Sequence, residues 1–356
     1  MENFIFQNPV KLIMGKGMIA RLAKEIPLDK RIMITFGVAG DRGDVAMVGY
    51  GAARYALASG NCNEAEKLWP LIEWCLEYCH RQLNADGVVK SDSDELENRF
   101  PAGKANLCTS SLYYDALVSA AYLGKALKKE HKQIKSYQDR AAELYKNIDA
   151  YFARNVEGYD TYRYYDGNTV LRSWICIPLT MGIYDQAKGT VEALFSDKLW
   201  MENGLLTQSG TSTYWDRSTL YAFRGAYSCG ARDIATEYLD KYSATRLLGD
   251  HVPYAVEAWP EGNQRHLSTE SALYCRIMTE GLFGIRPIAL DAFVMTPQLP
   301  ESWNMMSLKR VCAFGSIFDI EVKRDKDDKL LVLIKKDHKI VKRSKITNGK
   351  PIEVRI

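Results

Sequence analysis

The sequence predicts a mainly α-helical chain with a short α/β segment in front, residues 1–37, and a small β domain behind, residues 288–356. Three observations carry this. Apolar residues recur at helical spacing in nine segments between residues 44 and 284, strand-like alternation replaces that spacing after Pro287, and a strand-helix-strand pattern occupies the start. Many helices followed by a β module argue against a doubly wound sheet, in which strands alternate with helices.

In chain order, FIFQNPVKLIM reads as a strand, KGMIARLAKEI as a helix and RIMITFG as a second strand, with Pro27 and Asp29 marking the last turn. The helical segments follow at about 44–60, 65–83, 107–128, 135–156, 170–183, 185–196, 214–229, 232–248 and 269–284. Gly60, Gly230, Gly249 and Gly284 close four of them, as left-handed C-caps would require. Tyr113, Tyr114, Tyr122, Trp174, Tyr221 and Phe223 put aromatics on more than one helix face, so these helices are expected to pack on two sides. Residues 38–287 thus form one helical domain. Beyond it, DAFVMTP, SLKRVCAFGSIFDIEVKRD, KLLVLIKK and PIEVRI alternate as strands, separated by the turn clusters DKDD and TNGK.

At 356 residues and 47% hydrophobic content the chain can bury a sizeable core. Its net charge of +3 is spread along the sequence apart from a basic run between Lys335 and Lys345, which argues against nucleic acid as a partner. The eight cysteines lie mostly in apolar helical stretches without a CxxC pair. Cys75, Cys79 and His80 lack a second ligand cluster, so neither metal nor cofactor is expected. No segment approaches the roughly 18 to 20 apolar residues of a membrane span, and no secretory leader pattern opens the chain, so as written it is expected in the cytoplasm, away from membranes.

Two loops concentrate carboxylates between apolar helices. The first, SDSDELENRF, holds Asp92, Asp94, Glu95 and Glu97 within six residues, and crowding raises carboxyl pKa values toward those of a proton donor. An acidic solvated turn would look similar, but Arg99, Phe100 and a helix opening with Asn106, Thr109 and Ser110 adjoin this one. The second, VPYAVEAWPEGNQRHLSTES, carries Glu257, Glu261 and Glu270 with Trp259, Gln264, Arg265 and His266. Aromatic faces stack on sugar rings while polar side chains take the hydroxyls, so this company suits a carbohydrate site. An ordinary loop with an N-cap at Ser268 and Glu270 complementing the helix dipole is the plain alternative. A third cluster, YWDRS, sets Trp215, Asp216 and Arg217 at a helix start as substrate contacts. Asp166, Arg172 and Trp174 form a weaker group, for which a structural role serves equally well.

These motifs resemble the (α/α)6-barrel, or six-hairpin, glycoside hydrolases, glucoamylase-like and α-L-rhamnosidase-like, over roughly residues 38 to 320. GDRGDVAM is similar to the start of an inner helix in glucoamylases, DELENR to their acid loop, and VEAWPEGNQRHLSTESA to their base loop and following helix. LFGIRP followed by TPQLPESW resembles the exit of such barrels into a β module. The resemblance implies an incomplete (α/α)6 toroid and a glycosidase that cleaves a terminal bond of an oligo- or polysaccharide. In it Glu97 is the general acid and Glu257 the base, while Arg42 and Asp44 line the subsite for the terminal sugar. Leu96 stands where glucoamylases have Trp, which keeps Asp94 and Glu95 as alternative donors to Glu97, and Glu261 competes with Glu257. Trp215, Asp216, Arg217, Trp259, Gln264 and His266 complete the expected substrate contacts. Inversion, favoured by the resemblance, needs the carboxyls ~6.5 to 9.5 Å apart.

NPVKLIMGKGMI resembles the N-terminus of iron-containing alcohol dehydrogenases, whose glycine-rich loop and metal ligands do not follow here, which argues against a dehydrogenase. A six-hairpin toroid has twelve helices. The nine found imply an N-terminally truncated barrel, with apolar inner surface that favours a homo-oligomer. A non-catalytic carbohydrate-binding scaffold, or a polysaccharide lyase using His266 and Tyr254, are the competing readings.

Overall fold

A computed structural model describes residues 4–7, 11–14, 42–91, 100–246, 258–259 and 268–356. Two compact units emerge, Met1–Val38 and Ala39–Ile356. In the first, β1 (Phe4–Gln7) and β2 (Lys11–Met14) pair antiparallel, with Phe4 opposite Met14 and Gln7 opposite Lys11. The sequence reading has one strand over this stretch, and the correction is two strands separated by the turn signal Asn8-Pro9. The expected helix and second strand of residues 16–37 lie outside the described residues.

The second unit holds nine α-helices among its described residues: α1 (Arg42–Ser59), α2 (Cys62–Arg81), α3 (Leu107–Ala126), α4 (His131–Phe152), α5 (Ile177–Met181), α6 (Ala187–Leu194), α7 (Asp216–Ser228), α8 (Arg232–Arg246) and α9 (Ser268–Arg276). A 3-10 turn, Ser173–Cys176, leads into α5, and a π turn, Ile277–Leu282, extends α9. Odd-numbered helices pack on one another in sequence, while α2, α4 and α8 pack on the outside of α1, α3 and α7.

Burial separates the two layers. On α4 the buried residues Tyr137, Ala141, Leu144, Ile148 and Phe152 form one stripe at spacings of three and four, as expected for a helix with one face in the core. On α3, Leu107 to Tyr113 are buried without interruption, and so are residues on every side further along, because neighbours surround it. Asn61 and Asn106 cap α2 and α3, their side-chain oxygens accepting from the amides of Asn63 and Glu64 (3.1 and 3.2 Å) and of Thr109 (2.8 Å).

Short hairpins join several of these helices: β3 (Ala153–Val156) with β4 (Tyr159–Tyr162) and β5 (Trp200–Met201) with β6 (Gly204–Leu205), while β7 (Tyr214–Trp215), just before α7, pairs antiparallel with β8 (Ala258–Trp259), which follows α8. The first corrects the helix expected over 135–156, which ends at Phe152. Glu157 and Gly158 turn that hairpin with φ of 51° and 97°, the left-handed pair that matches strand twist.

The C-terminal strands form two antiparallel sheets. One contains β9 (Arg286–Ala289), β10 (Ala292–Met295) and β15 (Ile352–Arg355), with β10 central. The other is the meander β11 (Met305–Ala313), β12 (Ser316–Arg324), β13 (Leu330–Lys336) and β14 (Lys339–Ile346). The expected alternation is present: Phe318, Ile320 and Val322 are buried on β12, and Leu330, Val332 and Ile334 on β13. The tip of the β11–β12 hairpin closes α1, the amides of Phe314 and Gly315 donating to the carbonyls of Ala58 and Ser59 at 2.6 and 3.1 Å. Gly60 (φ 68°) passes so close that a Cβ there would fall 2.2 Å from the Gly315 nitrogen.

Candidate active site at the N-terminal ends of the inner helices

The odd-numbered helices run parallel, because their side chains meet at like positions. Arg217 near the start of α7 bonds Glu270 near the start of α9, Tyr50 in mid-α1 bonds Arg224 in mid-α7, and Arg54 towards the end of α1 bonds Glu280 beyond the end of α9. Their N-termini therefore gather at one end of the ring, where the partial positive charge of each helix collects.

Both flanks of the acidic loop are fixed at that end. Before it, the Ser91 amide donates to the Lys104 carbonyl (2.9 Å) and the Ser91 hydroxyl to that of Gly103 (3.2 Å). After it, Phe100 and Pro101 are held by buried Arg172, whose guanidinium lies 5.1 Å from the Phe100 ring and 4.7 Å from the Tyr164 ring and donates to the Pro101 carbonyl at 3.1 Å. The chain leaves and returns beside the cap of α3. Asp94, Glu95 and Glu97 lie outside the described residues.

The second carboxylate loop is tethered through β8. Ala258 pairs with Trp215 and Trp259 with Tyr214, so the residue directly after Glu257 lies opposite the start of α7. Glu257, Glu261, Gln264 and His266 are outside the described residues, as is Tyr254. Trp215 is buried edge-on against Trp174, ring centres 4.7 Å apart, and Trp174 meets Tyr221 in the same manner at 5.4 Å. Asp216, 1% exposed, accepts from Arg246 at 3.0 Å. Arg217 lies 5.5 Å from the Trp215 ring and donates through Nε to Glu270 at 2.8 Å. Arg42 and Asp44, both half-buried, occupy the first turn of α1.

No family model matches the chain, and no curated protein does. Solved structures do. A sialidase superposes over 85% of this chain with a TM-score of 0.63 at 15% identity, and a GH78 family rhamnosidase of Bacillus sp. GL1 over 80% with a TM-score of 0.51 at 14% identity. The fold is the (α/α)6 toroid of glycoside hydrolases. The match takes up 32% of the sialidase and 30% of the rhamnosidase, so the chain spans about a third of the length of each.

The toroid explains why Glu270 escapes a reading of the sequence as more than a dipole partner. It is fully buried, and its partner Arg217 is 53 positions away. Only the packing of two parallel helix starts brings them together. The available signal was that α1, α7 and α9 each open with charged residues, Arg42 and Asp44, Asp216 and Arg217, then Glu270.

Deeper in the toroid a charge network crosses the ring. Arg54 holds Asp115 through two hydrogen bonds of 2.9 and 3.0 Å and Glu280 through one of 2.7 Å. Arg286 also bonds Asp115, and Arg276 bonds both Glu280 and the Tyr50 hydroxyl. Arg224 donates to the same hydroxyl at 3.2 Å and lies 3.5 Å from Glu280. Burial on its own would raise the Asp115 carboxyl, but Arg286 and Arg54 outweigh it and hold the group below its ordinary range. Glu280 is depressed by the same balance, burial opposed and overcome by Arg276, Arg224 and Arg54. Burial would likewise raise the Tyr50 phenol, yet Arg224, Arg276 and Arg54 draw it down. Among the described residues no cluster of His, Cys, Asp and Glu is arranged to hold a metal, and no helix is long and apolar enough to cross a membrane.

Proposed function

We propose that this chain is a glycoside hydrolase acting on a terminal glycosidic bond of an oligo- or polysaccharide, with Glu97 as general acid and Glu257 as the base that activates water. The observation that carries the reading is the tethering of both carboxylate loops to one end of the toroid, Ser91 and Phe100 beside α3 and Ala258 opposite Trp215 at α7. Two carboxyls entering one cleft from separate loops are what hydrolysis needs: one protonates the leaving oxygen, and the other deprotonates water on the opposite face of the sugar. Asp94 or Glu95 would replace Glu97, and Glu261 would replace Glu257, if the loop termini set the register differently. Arg42, Asp44, Trp215, Trp259, Gln264 and His266 would line the sugar subsite. Asp216 and Arg217 would act through the pairs that fix them, with Arg246 and Glu270. That a sialidase and a rhamnosidase carry this fold supports a carbohydrate substrate.

Replacing Glu97 and Glu257 singly by Gln is expected to lower turnover of the best nitrophenyl glycoside by at least about 100-fold each, the usual scale of general acid-base catalysis. Proton NMR of the first product should show the inverted anomer. Unchanged rates in both variants would sink the assignment. Carbohydrate binding without turnover is the second reading, supported by the span of only about a third of each solved relative. Saturable binding of a sugar that the unaltered chain never hydrolyses would establish it.

A further inference from the structure

We propose that the cavity where the inner helices end, at the base of the toroid, binds a small anionic molecule bearing a phosphate or carboxylate group. The cavity, of about 650 Å³, lies at the opposite end of the inner helices from the candidate active site. Arg54, on its wall, is twelve residues along α1 from Arg42, roughly 18 Å at the helical rise. Its walls come from the ends of α1, α5, α7 and α9 and from the β module.

The lining is strongly one-sided in charge. Arg54, Arg224, Arg232, Arg286 and Lys350 face the cavity against a single carboxylate, Glu280. Asp115 stands behind, engaged by Arg54 and Arg286, and Asp233 lies 3.7 Å from Arg232. Helix C-termini offset part of the excess, each by about half an elementary charge.

Donor capacity is also unspent. Arg224 is 2% exposed and its Nε makes no hydrogen bond among the described residues, while its other nitrogens reach only Tyr50 and Glu280. Buried guanidiniums are costly unless paired, and the planar fork of arginine matches phosphate and carboxylate oxygens in pairs. A volume of this size accommodates a molecule larger than a free ion, such as a sugar phosphate or sugar acid.

Isothermal titration of the full chain with inorganic phosphate and, separately, with gluconate tests the site and distinguishes the two headgroups, with sodium chloride holding ionic strength constant. Saturable binding of at least one is expected, with a rise in Tm that chloride does not produce. R232Q and K350E alter cavity cations outside the buried network, and Lys350 is exposed, so both should fold, as circular dichroism would verify. Each should weaken binding by about tenfold, the scale of one charge-assisted contact. Absence of saturable binding by either anion, or parental affinity in both variants, would overturn the proposal. Hydrolysis by the opposite end has no bearing on either outcome.

Discussion

Asp115 is fully buried, with Arg54, Arg286 and the Ser119 hydroxyl as its partners. Its folded pKa lies below the ordinary carboxyl value, so its contribution to stability is complete above about pH 4 and is lost as pH falls from there through the depressed folded value. Asp115→Asn should cost about 3 to 5 kcal/mol at neutral pH, the usual effect of removing one partner of a buried pair. Urea unfolding at pH 7 and again near pH 3 checks this, because the gap between parent and variant should narrow in acid; a gap independent of pH would refute it. None of this was legible in the sequence. Arg54, Arg224, Arg276 and Arg286 read singly as ordinary solvated helix or strand-end residues, and they form a cluster only once four elements far apart in the chain enclose one axis. The carboxylate loops were legible, because local crowding and aromatic company are properties of contiguous sequence.

At the scale of elements, periodicity sufficed to locate nine helices, since an outer helix such as α4 must place one apolar stripe inward at every turn. Short elements gave way to tertiary demands instead: the stretch 153–156 left the helix pattern for the β3–β4 hairpin, and the segment over 170–183 divided into a 3-10 turn and α5. Two glycines with the same helical setting but opposite surroundings test how far packing governs these helices. In α6 a Cβ on Gly189 would lie 1.8 Å from the Asp160 carbonyl oxygen of β4, whereas in α1 a Cβ on Gly51 would meet nothing within 4 Å. Gly189→Ala should therefore destabilise the chain by about 3 kcal/mol or more, as overpacking against backbone does. Gly51→Ala should stabilise it by up to about 1 kcal/mol through helix propensity. Thermal melts of the pair should move in opposite directions, and a matched loss would show that the space beside Gly51 is occupied.

For the whole molecule, the side of α1 left uncovered among the described residues is the feature with most consequence. Met47, Val48, Gly51, Ala52 and Tyr55 lie along it half-buried or exposed, Tyr55 at 55%, and on α9 Ala272 and Cys275 are exposed as well. These are inner helices of a toroid, which a complete ring would enclose. We expect the chain to associate with itself through this side, and light scattering should give a mass above that of one chain; a monodisperse monomer that Tyr55→Lys leaves unchanged would count against it. The β module bears on the same helix from its other end. Because the amides of Phe314 and Gly315 donate to the last carbonyls of α1, their protons exchange with deuterium only when the hairpin and the helix end part, so a hairpin tip at the base should be protected against exchange. Loosening the hairpin would then fray the helix whose first turn carries Arg42 and Asp44, and the far end of the molecule would set how long the proposed sugar subsite stays assembled.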